Sequence, residues 1–281
     1  MNHSRINHKI GTTILLVVLL GYTFITFAPF LWTAVMSFRT TNDILDDPYG
    51  FSWPPYIQNY IYAFTKFGFM RYVRNSAFVT LSALVITTAV TSLAAFGFAR
   101  KRYEFTLREP IYYLIFISIM FPPQISLLAL FQILVKYKLY NTLWGLVLVY
   151  SASALPFNIY LLRSFFAQIP QDLEDAARID GCSDLQMFWR VMFPIARPAV
   201  ATTVVLNFIN FWNEFLYAVT FVTKQEARTL PLAVMFFMGE AWLDLGMLAS
   251  GLMVSVLPVI ILYLILSEQF IKGMTAGAVK G

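Results

Sequence analysis

Two groups of polar residues stand out as able to do chemistry in an otherwise apolar chain. The first is the run Asp172-Leu-Glu174-Asp175-Ala176-Ala177-Arg178-Ile-Asp180-Gly181, inside a polar stretch over about residues 167–197. The second is a set of hydroxyl, amide and carboxyl side chains, Thr203, Asn207, Asn210, Glu214 and Tyr217, inside an apolar run. Neither group supports covalent catalysis. The two histidines, His3 and His8, are confined to the first eight residues, so no Ser/His/Asp or Cys/His set can be assembled. The single Cys182 excludes a disulfide scaffold, and a structural zinc site lacks ligands. No G-x-x-x-x-G-K-[ST] run is present to cradle phosphates. What remains is a polar loop that plugs a partner's groove or merely connects spans, and a polar stripe that lines or packs.

The elements that must position these groups are set by composition. Of 281 residues, 59% are hydrophobic, 17% aromatic and 12% charged, with a mean hydropathy of +0.67. Soluble domains carry about 25% charged residues. A soluble globule has no place for this much apolar surface, so the chain reads as an integral membrane protein. Disorder is excluded on the same ground. The net charge of +5 sits on cations scattered among loops, which marks membrane topology rather than nucleic-acid binding.

Six apolar stretches, about 14–35, 77–98, 111–135, 143–162, 199–222 and 246–266, are long enough to cross about 30 Å of hydrocarbon. They lack the alternation of barrel strands, and the backbone must satisfy itself in lipid, so helices are expected. The fold class is therefore all-α, a polytopic membrane protein of six transmembrane helices, read as one domain over 1–281. The first run is too long for a cleaved signal peptide, and no A-x-A-like site follows it. Lys and Arg number twelve on the side of the termini and even-numbered loops and eight on the other. The bias is sharpest at 100–108, where four of nine residues are basic, so both termini are expected in the cytoplasm of a bacterial or archaeal inner membrane. An external aromatic loop, about 37–76, contains Trp53-Pro54-Pro55. The stretch 56–72 after it reads as an interfacial helix, either an aromatic belt or a docking ledge.

The polar loop is punctuated. Pro170 opens it, Asp172 can cap a helix over 173–180, and the acids of its first turn suit the helix dipole. Gly181 fits the left-handed position that stops a helix, and Ser183-x-x-Gln186 forms a capping box for a second one. Pro194 and Pro198 lead into the fifth span. The small pair Ala176-Ala177, flanked by Asp175, Arg178 and Asp180, would plug a groove on a partner; the alternative is a solvated connector. On the fifth span, Thr203, Asn207, Asn210, Glu214 and Tyr217 fall within about 80° of one another at 100° per residue. Glu214 is the only formal charge in a span. The stripe lines or gates a pathway, or it bonds helix to helix. Pro122-Pro123, Pro156 and Pro258 should kink their spans, with Gln124, Ser153 or Ser255 available to the freed carbonyls.

The loop resembles that of the inner-membrane permeases of ATP-binding-cassette importers, whose pattern is E-A-A-x-x-x-G followed nine residues later by I-x-L-P. Here it reads Asp175-Ala176-Ala177-Arg178-Ile179-Asp180-Gly181, then Val191-Met192-Phe193-Pro194. Asp175, Val191 and Phe193 depart from the pattern but keep charge or apolar character. Ala28-Pro29-Phe30, Ser37-Phe38-Arg39, Asn75-Ser76, Phe96-Gly97-Phe98-Ala99-Arg100, Pro122-Pro123-Gln124, Asn141-Thr142, Trp212-Asn213-Glu214-Phe215 and the tail from Gly273 to Gly281 are similar to the shorter, maltose-type (MalG-like) permeases of the carbohydrate-uptake class.

The resemblance implies a type I importer permease fold and a non-catalytic subunit. It would pair with a second, related permease, as a heterodimer, to form a pathway for a sugar or oligosaccharide. Two cytoplasmic ATPase subunits would bind below, carrying the ATP and magnesium; this chain would bind no cofactor. An extracytoplasmic solute-binding protein would deliver the cargo. Glu174, Asp175, Ala176, Ala177, Arg178, Asp180 and Gly181 would couple to the ATPases. The alternatives are an importer permease for another solute, or an ion-coupled secondary transporter, which would need charged relays in several spans.

Overall fold

The computed structural model describes residues 2–103, 105–240 and 244–278. Among them the chain forms thirteen α-helices: α1 (Asn2–Met36), α2 (Thr41–Asp46), α3 (Gln58–Thr65), α4 (Phe69–Ala99), α5 (Arg108–Ser118), α6 (Pro123–Lys136), α7 (Leu143–Phe166), α8 (Asp172–Ile179), α9 (Asp184–Met187), α10 (Phe193–Trp212), α11 (Leu216–Phe221), α12 (Leu230–Glu240) and α13 (Leu245–Ala278). No strand occurs among these residues. The all-α, polytopic membrane fold expected from hydropathy is therefore the observed one.

The expected count of six spans is met only in part among the described residues. Four helical stretches are long and apolar enough to cross a bilayer: Gly11–Met36, Phe69–Ala99, Leu143–Phe166 and Asp184–Trp212. A fifth is the pair Arg108–Ser118 and Pro123–Lys136, bent by 105° at its break. The third stretch thus breaks rather than kinks, because neither Pro122 nor Pro123 can donate a helical hydrogen bond. The fifth predicted stretch, 199–222, also does not run through. Its helix ends at Trp212, and α11 restarts at Leu216. In α13 the apolar part with described side chains is Leu245–Ile261. The tail residues 279–281 lie outside the described set. The stretch 56–72 is not one helix either: α3 ends before Gly68, whose φ of +76° turns the chain into α4.

Two compact units share the chain, residues 1–69 with 234–257 and residues 70–233 with 258–281. In the first unit, the 18-residue apolar core of α1 buries nothing. A helix of this kind needs lipid or another chain around it. The rest is organised about the turn 37–39. The Asn59 amide donates to the carbonyls of Ser37 and Arg39, both at 3.0 Å. Thr41 donates to Asp244 at 2.9 Å and accepts from the Leu245 N–H at 3.0 Å, which starts α13. A Cβ at Gly246 would overlap the Arg39 carbonyl oxygen and lie 2.7 Å from the Asn59 amide nitrogen.

In the second unit α7 is the centre, packed by α5, α10 and α11. Thr142 caps it by accepting from the Gly145 N–H at 3.0 Å. Buried Asn158 of α7 and Asn207 of α10 exchange amide hydrogen bonds of 3.1 and 2.9 Å. Asn75, Ser76 and Asn141 pin the loop after α11. Asn75 donates to the Glu226 and Arg228 carbonyls. Ser76 accepts from the Leu230 N–H, and Asn141 accepts from the N–H groups of Thr223 and Lys224. α7 runs through Pro156 without ending. Ser153 donates to Tyr150 rather than to Ala152, whose carbonyl is the one that Pro156 leaves without a helical donor.

Two outcomes test this packing. Gly246→Ala should lower stability in detergent by about 1–3 kcal/mol, since the overlapped atom is backbone; an unshifted melting temperature would contradict the close approach. Asn207→Leu should cost about 1 kcal/mol by stranding Asn158, while Asn158→Leu with Asn207→Leu should cost less than the two singles together. Additive losses in thermal unfolding would mean the pair is not coupled.

Candidate functional site

The polar loop folds as helix, turn, helix and re-entry. α8 begins one residue earlier than its sequence suggested, so Asp172 lies inside its first turn with Glu174 and Asp175 instead of capping it; Gln171 holds the cap position. Gly181, at φ +80°, closes the helix. The Cys182 N–H reaches the Ala177 carbonyl at 3.0 Å and the Gly181 N–H reaches Arg178 at 2.9 Å, the paired bonds of a left-handed helix stop. The capping box is present: Ser183 Oγ accepts from the Gln186 N–H, and Gln186 Oε1 accepts from the Ser183 N–H. A π-helical turn, Phe188–Met192, then feeds α10.

The two faces of α8 differ. Ala177 packs into a buried cluster with Phe96, Leu162, Phe166, Met187, Phe188 and Met192. Glu174 is also turned inward, and its carboxylate lies 2.6 Å from Arg100 Nε with both side chains buried. Of the proposed docking residues, Glu174 is thus engaged within the chain. Arg178 pairs with Asp184 at 3.1 Å, joining α8 to α9. Asp175, Ala176, Asp180 and Gly181 are exposed. So are two apolar neighbours, Leu173 and Ile179, the latter 87% exposed. A short helix with acids, a small residue and bare apolar groups on its outer face, rigidly braced on its inner face, has the form of a docking element.

Three of the five stripe residues come together. Asn207, Asn210 and Glu214 line a cavity of about 240 Å³, with Tyr150, Ser153 and Asn158 contributed by α7. The α7 members were not read from the sequence. A signal existed in Tyr150, Ser153 and Asn158 recurring near helical spacing on the fourth span. Thr203 is buried and donates to the Val200 carbonyl at 2.7 Å, outside this cavity. Tyr217 lines a neighbouring space of about 550 Å³ with Pro122 and Pro123 at the break between α5 and α6.

The break after Trp212 gives Glu214 a second task. Its carboxylate accepts from the N–H groups of Tyr217 at 2.7 Å and Ala218 at 3.2 Å, closing the first turn of α11. The helical phase placed the residue on the inward face; the hydrogen bonds show it also starts the next helix. Trp212, off the stripe, is buried and stacks on Phe208. Among the described residues, no three His, Cys, Asp or Glu side chains converge to hold a metal ion.

Comparison with known proteins accounts for this arrangement. Residues 88–276 match the family model described as binding-protein-dependent transport system inner membrane component. A probable ABC transporter permease protein of Bacillus subtilis, YurM, is 36% identical over 274 residues, covering 97% of this chain and 90% of its own. The diacetylchitobiose uptake system permease protein NgcG of Streptomyces coelicolor is 34% identical, covering 94% and 87%. A solved bacterial ABC transporter involved in alginate import has the same fold in one of its chains. Its TM-score is 0.80 and its identity 21%, over 94% of this chain and 98% of that one. Permeases of this kind transport without catalysing a reaction themselves. With the family model spanning both the polar loop and the polar cavity, the chain belongs to the family of binding-protein-dependent transport system inner membrane components.

Proposed function

We propose that this chain is the shorter, maltose-type permease subunit of an ATP-driven importer for a sugar or oligosaccharide, working as one permease domain in a bilayer. It pairs with a second, related permease. Two cytoplasmic ATPase subunits dock beneath, and an extracytoplasmic solute-binding protein delivers cargo. Six crossings, the last in α13, put both termini in the cytoplasm, in line with the Lys and Arg bias.

The observation that carries this reading is α8 itself. Asp175, Ala176, Asp180 and Gly181 face outward from a helix whose inner side is locked by Ala177 and the Glu174–Arg100 pair. A rigid plug of this sort can pass displacement to α4, α7 and α10, as a bistable bundle requires. Sugar as cargo is supported by relatives named for diacetylchitobiose uptake and alginate import, and by the polar cavity's carboxylate, amides and hydroxyls beside Phe157. Asn207, Asn210 and Glu214 face the pathway. Thr203 and Tyr217 flank it.

Ala176→Arg should reduce copurifying ATPase by about tenfold or more, as an interface residue at the centre of a contact does, with the melting temperature of the permease held. Equal ATPase recovery would rule out docking through this face. Glu214→Gln keeps an acceptor for the α11 N–H groups and removes the charge. Uptake of radiolabelled oligosaccharides should fall while stability holds, whereas Glu214→Ala should also lose about 0.5–2 kcal/mol. Normal uptake by the glutamine variant would leave the residue a helix cap only.

A further inference from the structure

We infer that a relay of charges, Glu174–Arg100–Arg108–Glu109–Arg163, positions α5, the first half of the broken span, from the docking loop. Movement of α8 is thereby delivered to the break between α5 and α6. The inference rests on the reading that α8 docks an ATPase.

The geometry is continuous. Glu174 holds Arg100 Nε at 2.6 Å, and Arg100 Nη1 donates to the Ile169 carbonyl at 3.0 Å, so Arg100 grips both α8 and the chain entering it. Arg108 Nη1 donates to the Arg100 carbonyl at 3.0 Å, and Arg108 Nη2 pairs with Glu109 at 3.0 Å. Glu109 accepts from Arg163 of α7 at 2.9 and 3.1 Å. Arg163 donates to the Phe98 carbonyl and lies 3.7 Å over the Tyr112 ring of α5. Arg100, Arg108 and Glu174 are buried. Charges removed from water hold their partners tightly, because separating them exposes an unpaired charge to a low dielectric.

The relay reaches α5 at its N-terminal end, through Arg108 and Glu109 in the first turn and Tyr112 one turn further on under Arg163. It has no member on α6, which packs on α11 instead. Between the two helices the chain bends by 105°. Pro122 and Pro123 have no N–H to bridge the break, so a change of angle there sacrifices few hydrogen bonds. Ser118, the last residue of α5, lines the 550 Å³ space at this joint. α5 is thus a lever with a charged handle at one end and a hinge at the other. Arg100, Arg108, Glu109 and Arg163 are positioning residues; none lines the polar cavity. A static brace would use the same contacts, so the test must read motion.

The test uses the complete complex, copurified with its ATPase subunits, carrying Cys182→Ser and Ser118→Cys. The labelling rate of residue 118 by a membrane-permeant maleimide is measured with and without magnesium and a non-hydrolysable ATP analogue. Nucleotide should change the rate by about fivefold or more. Glu109→Gln, which keeps an acceptor for Arg108 and Arg163 while removing the charge, should bring that ratio to near one with ATPase recovery unchanged. Glu109→Gln with Glu174→Gln should be no worse than the more affected single variant, as members of one chain of contacts behave. A nucleotide effect that survives Glu109→Gln, or none in the parent complex, overturns the relay. Failure of the parent chain to recover any ATPase overturns the docking reading, and the relay with it.

Discussion

A helix that breaks inside hydrocarbon must find partners for the backbone groups it frees, since no water is there to take them. Much of this structure follows from that constraint. The gap between α10 and α11 is tolerated because the Glu214 carboxylate accepts two N–H groups at the restart. The gap between α5 and α6 occurs at two prolines, which have no N–H to leave unpaired. Asn75, Ser76 and Asn141 satisfy backbone groups of the loop between α11 and α12, outside the spans. A charged side chain in a span is expensive, and at Glu214 the expense is met partly by a structural return.

The polar side chains meet at one of these breaks. Where α10 ends at Trp212, the Glu214 carboxylate lies beside Asn210 and the α7 groups Tyr150, Ser153 and Asn158 in one cavity. The wall of that cavity is stiffened by the reciprocal Asn158–Asn207 amide pair, which fixes the register of α7 against α10. Packing and cavity lining are therefore not exclusive along the polar stripe: Thr203 packs, Asn207 both pairs with Asn158 and lines the cavity, and Asn210 and Glu214 open onto it.

The polar loop solves a different problem, that of stiffness without a large core. An eight-residue helix is unstable alone in water. Here a left-handed stop at Gly181, a capping box at Ser183 and the buried Glu174–Arg100 pair hold it in one orientation. Its exposed Leu173 and Ile179 then remain uncovered by the chain itself.

The sequence by itself determined the membrane class, the existence of the apolar helices and the local form of the loop. These depend on composition, on 3.6-residue periodicity and on turn chemistry that Gly181, Ser183 and Gln186 carry in their own side chains or lack of one. Only the tertiary structure decided where the spans break, that Glu174 faces inward to a residue 74 positions earlier, and that Tyr150 and Asn158 share a cavity with Asn210 and Glu214. The physical reason is range. Hydropathy and capping are properties of neighbouring residues, whereas an ion pair or a cavity wall depends on which distant helices pack side by side, and one sequence read alone carries no record of that pairing.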